Sequence, residues 1–279
     1  MKEVKTSQLL IWKLKKGVIM KKMIITTMLA FILLVFSGIL VTQAGAETLI
    51  GSNVDNRIIV ALRVGQAELQ SWLPAPWQVN PIAKGPLKEA NLYLSFVDRL
   101  LDQDAQGKPA AGGTCRVVAL AAPAKHAQTG KSALFVIRVF APHEDINLYN
   151  PYKNSVRATI RREYTFKGAD LEPGTVSDLW ELRDSAGGML KFRIKYKRAV
   201  PSRAKQELRP RSSVEPDFFR IYRVDQGMDL IKSIPAGIDR VQSYKLHVTM
   251  SELHKMFDGS EKVVGILAIP WYVRKLFLP

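Results

Sequence analysis

The sequence predicts a mainly β fold of the α+β kind, a barrel or cone with a few peripheral helices that encloses a pocket within one domain. Three observations predict it. Many short segments alternate with a period of two or are almost wholly apolar, few segments carry a helical period, and a lone cysteine follows an export-type leader, so the fold must hold by packing.

Residues 1–46 read as a signal peptide with a basic N-terminal extension, and residues 47–279 as a single domain. Lys21 and Lys22 precede an apolar run over residues 23–41, and Ala44-Gly45-Ala46 supplies the small residues that signal peptidase cuts after. Met20 then serves as a start. Nineteen apolar residues also lie near the lower limit for crossing a bilayer, so an uncleaved membrane anchor is the alternative to a periplasmic or secreted protein. The formal net charge of +16 falls to +10 without residues 1–46, which hold seven lysines and one glutamate (16 − 7 + 1). The remaining 233 residues (279 − 46) suit one domain with a sizeable core. Cys115, in the apolar run CRVVALAAP, reads as a small buried hydrophobe.

Along the domain, residues 57–64 predict a strand and 66–72 a short helix ended by Pro74. Trp72, Pro74, Pro76, Trp77 and Pro81 then form a rigid aromatic turn. Strands follow over 91–101, 115–122 and 132–140, with a loop at 123–131 whose Thr129-Gly130-Lys131-Ser132 lacks the upstream glycine of a phosphate-binding loop. Residues 177–184 and 189–198 predict a hairpin around Ser185-Ala186-Gly187-Gly188. On its second strand Lys191, Arg193, Lys195 and Lys197 occupy one face. Such a row reads as a solvated face guarding against edge pairing, or as a contact for anionic lipid headgroups or a polyanion. Residues 201–217 predict a long connection, 218–224 and 241–250 strands, 251–258 a capped helix, and 262–269 a last strand. The aromatic, basic tail PWYVRKLFLP packs over an open barrel end or touches a membrane.

The segment NLYNPYKNSVRATIRREYTFK joins a proline turn to the clearest strand. Val156, Ala158, Ile160, Tyr164 and Phe166 share one parity, and Arg162 shares it with them, so its guanidinium must reach the rim or meet an anion. Lys153 sits at the strand mouth between aromatics. It reads as a solvated surface charge or, if desolvated, as an amine able to attack a carbonyl and form a Schiff base.

The segment LYNPYKNSVRATI resembles the lysine-bearing segment of the acetoacetate decarboxylase family, and DNRIIVALRVGQAELQSWLPAPWQVNP resembles that family's opening strand, short helix and proline turn. The likeness implies an acetoacetate-decarboxylase-like β-barrel or cone, with Lys153 as the Schiff-base lysine and Arg57 in the active site. On that reading Arg57 or Arg162 would hold the substrate's carboxylate, and Tyr149 and Tyr152 would flank the amine. The likeness implies no cofactor. Two departures stand out: Asn154 replaces a second lysine that depresses the amine's pKa, and Asn147 replaces a glutamate.

His126, His143, His247 and His254 lack zinc-protease spacing, and neither a G-x-S-x-G elbow nor a glycine-rich dinucleotide motif is present. No metal is implied. The readings are a decarboxylase-like lyase on a small β-keto acid or related carbonyl compound, a non-catalytic exported protein binding a small carbonyl or carboxylate ligand on the same scaffold, or a membrane-surface module. Export argues against nucleic acid as partner, and a homo-oligomer is left open. N-terminal sequencing of the exported protein checks the leader: the expected first residue is Glu47, and a chain retaining residues 20–46 is the anchored alternative.

Overall fold

The computed structural model describes residues 47–110, 112, 114–143, 151–170 and 172–279. Glu47–Pro279 forms one compact unit. Its strands are β1 (Thr48–Arg63), β2 (Trp77–Val79), β3 (Leu92–Gln103), β4 (Cys115–His126), β5 (Ser132–Ala141), β6 (Ser155–Lys167), β7 (Thr175–Asp184), β8 (Met189–Lys197), β9 (Ser202–Leu208), β10 (Arg211–Ser212), β11 (Ile221–Ser233), β12 (Ile238–Asp239), β13 (Val241–Val248) and β14 (Lys262–Leu278), with one helix, α1 (Gln66–Gln70). The strands join in the order β12-β11-β14-β1-β3-β4-β5-β6-β7-β8-β13, while β9 pairs with β11, β2 with β4 and β10 with β5. Contacts are antiparallel except β5 with β6 and β5 with β10, so the sheet is mixed. It does not close: β12 and β13 end the path without meeting, and the expected barrel is an open, curled sheet.

Alternation along the strands gives the sheet two buried faces. On β1 the even residues Ile58, Val60 and Leu62 join Phe96, Phe192, Trp180 and their neighbours in the larger core. Phe96 stacks on Phe192 at 5.1 Å. The odd residue Ile59 faces a second core of Val97, Val117, Tyr152, Tyr222 and Tyr272. Strands buried on both sides explain the apolar runs of β4 and β5.

Several elements differ from expectation. β1 begins at Thr48, because Asn53 and Asp55 are buried polar residues that mask its period. The connection at 201–217 contains β9, whose polar residues pair with β11 through the backbone ladder and through ion pairs of Arg203 and Lys205 with Asp225 and of Glu207 with Arg223. Residues 251–256 form successive turns rather than a helix, with Met256 N donating to Leu253 O at 3.0 Å, and they bury Leu253 and Met256. The tail packs over no opening: it continues β14 to Leu278.

That continuation passes through Pro270, which has no N–H to give a ladder. The strand solves this with a bulge. Asp55 pairs with Tyr272 and Arg57 with Ile269, three residues of β14 against two of β1, and the same excess recurs opposite Gly227 and Asp229 of β11. Ile269 and Tyr272, of opposite parity, consequently face the same core. The displaced Trp271 lies over Gly227, where an added Cβ would come within 2.6 Å of the indole Nε1. Gly227→Ala is expected to cost about 1–3 kcal/mol by overpacking, measured as a lower urea midpoint at unchanged m.

Candidate functional site

The second core carries a connected polar cluster. The regular pairing of β1 with the far half of β14 sets Asn53 opposite Arg274 and Asp55 opposite Tyr272. Arg274 Nε donates to Asn53 Oδ1 at 2.6 Å, and Asn53 Nδ2 donates to Asp55 Oδ2 at 2.5 Å. Asp55 also accepts a two-pronged bond from Arg57, Nε at 2.8 Å and Nη2 at 2.6 Å. The Arg57 guanidinium lies 3.5 Å from the Tyr272 ring centre, and that of Arg274 lies 4.2 Å from the Tyr222 ring centre. Tyr222 and Tyr152 share a hydrogen bond through their hydroxyls.

Among the described residues, Arg57, Arg99, Arg220 and Arg274 share this interior with Asp55 and Asp102. Asp55 serves Arg57, and Asp102 serves Arg99 at 3.3 Å. Burial by itself would push the Arg274 pKa down, but Tyr222, Tyr272 and Asp55 outweigh it and hold the cation. Arg220 is different. Its side chain has no hydrogen-bond or ion-pair partner among the described residues, and its Nε is shielded from solvent. Burial, reinforced by the cations of Arg274 and Arg99, lowers its pKa against the opposing effect of Tyr222 and Tyr152. Arg99, Arg220, Arg274, Tyr222 and Pro151 wall a cavity of about 60 Å³, room for a few non-hydrogen atoms. Burial and the neighbouring Tyr222 raise the Tyr152 pKa well above the phenolic value, so this hydroxyl stays protonated and can donate.

The turn before β6 decides which residue reaches this interior. Tyr152 points inward, 4% exposed, its carbonyl held by Ser212 Oγ at 2.6 Å. Lys153 adopts φ 58° and is exposed, and Asn154 turns back in, its Nδ2 donating to Val136 O at 2.6 Å. Of the two readings of Lys153, the exposed side chain corresponds to the solvated one: with Tyr152 and Asn154 anchored inside, the residue between them faces water. Tyr149 and Asn147 lie outside the described residues.

Of the expected site residues, Arg57 and Tyr152 belong to this cluster, whereas Arg162 lies on the other face, in a cavity of about 270 Å³ whose wall Arg57 also reaches. There it donates to both oxygens of Asp178 at 3.0 and 2.8 Å, to Asp98 Oδ2 at 3.0 Å and to Asn56 Oδ1 at 2.5 Å. Four of its five N–H groups are thus used, and the guanidinium sits 4.8 Å from the Trp180 ring centre. Tyr164, Tyr196 and Arg198 line the same cavity. Arg274, Arg220, Tyr222, Asn53 and Asp55 were not anticipated. Arg274 carried the same signal as Arg162, a cation between Tyr272 and Leu276 on an otherwise apolar parity. Among the described residues no group of three histidine, cysteine or acidic side chains is placed to hold a metal.

At the sequence level no family model and no curated protein matches the chain. Solved structures do match in fold. An acetoacetate decarboxylase-like enzyme from Sphingomonas wittichii RW1 superposes with TM-score 0.51 at 14% identity, over 82% of this chain and 90% of that one. The enduracididine biosynthesis enzyme MppR complexed with pyruvate gives TM-score 0.51 at 11% identity, over 84% and 91%. MppR complexed with the condensation product of pyruvate and imidazole 4-carboxaldehyde gives 0.52 at 10%, over 82% and 87%. The fold is that of acetoacetate decarboxylase-like proteins.

Replacing Arg162 by leucine would strand the buried Asp178, while Asp98 keeps Arg116. The expected cost is about 3–5 kcal/mol, read as a drop in the urea midpoint.

Proposed function

We propose that this acetoacetate-decarboxylase-like chain acts as an exported receptor for a small carboxylate, a 2-oxo or 3-oxo acid, held in its arginine-rich interior without Schiff-base chemistry. The carrying observation is Arg220: half-buried, its shielded Nε without an acceptor among the described residues, beside a small cavity that Arg99 and Arg274 also line. A carboxylate there accepts from Arg220, with Arg274 and Arg99 at the wall. The Tyr152–Tyr222 hydroxyl pair offers a neutral donor for a keto oxygen. Pyruvate in MppR supports this ligand class.

Schiff-base catalysis needs an amine within the reaction cavity. Lys153 stands in solvent, and no lysine is among the buried polar residues of the described chain. The inward side chain at the mouth of β6 is a phenol, which holds a carbonyl by hydrogen bonding but forms no imine.

Titration calorimetry with pyruvate and acetoacetate tests the receptor, and borohydride reduction tests the lyase. Arg220→Gln is expected to weaken binding about tenfold or more, matching the roughly 1.5–3 kcal/mol of a hydrogen bond to a charged group, with circular dichroism unchanged. No keto-acid adduct is expected on Lys153. Reductive trapping at Lys153 together with decarboxylation abolished by Lys153→Ala would replace this reading with the lyase. Binding of neither acid would remove both.

A further inference from the structure

The outward face of the arm formed by β6, β7, β8 and β13 carries a second feature, independent of the interior site. Leu190, Phe192, Ile194 and Tyr196 of β8 fill the larger core, so Lys191, Arg193, Lys195 and Lys197 must point away from it. On the same face β13 places Lys245 directly opposite Arg193, and β6 contributes Lys167.

Among the described residues of these strands only two carboxylates lie on this face, and both are taken. Glu163 pairs with Arg161, and Glu181 with Arg183 and Lys191. Lys167, Arg193, Lys195, Lys197 and Lys245 have no ion-pair partner among the described residues. Like charges directly opposite on neighbouring strands destabilise a sheet, and the Arg193–Lys245 pair carries that cost without an ion-pair partner among the described residues. Edge protection does not account for the row: β8 lies between β7 and β13, and the edge strand is β13.

The shape narrows the partner. Four strands spaced by about 4.8 Å and nine residues rising by about 3.3 Å each make a patch of roughly 15 by 30 Å. Its cations spread over three strands in two dimensions, whereas a single extended polyanion would be met by a linear track. A lattice of anionic headgroups matches such a patch, and the approach of phosphates relieves the repulsion among cations lying within a Debye length of about 10 Å. We propose that this face docks the protein peripherally on an anionic lipid bilayer.

The test is co-sedimentation of Glu47–Pro279, a compact unit with its own cores, with phosphatidylcholine vesicles with and without phosphatidylglycerol. Using this unit keeps the apolar run 23–41 out of the lipid. Binding is expected only with phosphatidylglycerol, and it should fall as salt rises. The variant R193Q/K195Q/K197Q/K245Q is expected to lose at least tenfold in vesicle affinity, given roughly fivefold per cation near a charged surface. The control K84Q/K88Q/K108Q/K131Q removes four exposed lysines elsewhere and should bind within about twofold of the parent. Equal loss in both variants would overturn the proposal in favour of net charge alone. Retention on heparin without binding to phosphatidylglycerol vesicles would overturn it in favour of a soluble polyanion, and absence of binding to either would end it.

Discussion

The bulge at Pro270 and Trp271 in β14 is the constraint on which the interior site depends. A proline within a long paired strand removes a ladder donor, and one extra residue absorbs the loss while exchanging the two faces of everything beyond it. Without that exchange, Tyr272 and Arg274 would face away from Asn53 and Asp55. With it, each sits opposite its partner, and β11 adds Tyr222, paired with Leu276, from the other side. The glycine under Trp271 belongs to the same device, since the displaced indole takes the space a side chain would fill at 227.

The two buried arginine systems illustrate opposite solutions to one problem, a charge that cannot be given up. Arg162 is satisfied by acceptors from β1, β3 and β7, and so ties the two arms of the sheet across the larger core. Its burial is compensated, which leaves little capacity for a ligand. The second core instead gathers four arginines around two aspartates among the described residues, with the Nε of Arg220 unpartnered there. An interior of clustered arginines with protonated phenols among them suits a small carboxylate bearing a neutral oxygen.

Much of the fold was legible because β-structure writes a period of two into the chain. β3, β5, β6, and the β7–β8 hairpin begin or end within a few residues of where alternation and apolar runs put them. β9 was not legible, since its residues are polar on both parities and its place is set by backbone bonds and ion pairs to β11. The extension of β14 was hidden by Pro270, an ordinary stop signal that only a bulge could override. In the same way Arg57 was found on its own strand, while Arg220 and Arg274 emerged only when β11 and β14 came together beside it.

The sequence by itself determined the mainly β character, the two-sided burial of the central strands, and the demand that the guanidinium of Arg162 reach the rim or meet an anion, because these follow from periodicity and from the cost of burying charge. Only the tertiary structure decided which side chains of Pro151-Tyr152-Lys153-Asn154 are buried. A turn has no intrinsic inside, and here the choice rests on distant partners: Ser212 holding the Tyr152 carbonyl, Tyr222 meeting its hydroxyl, and the Val136 carbonyl drawing Asn154 inward, which leaves Lys153 to water.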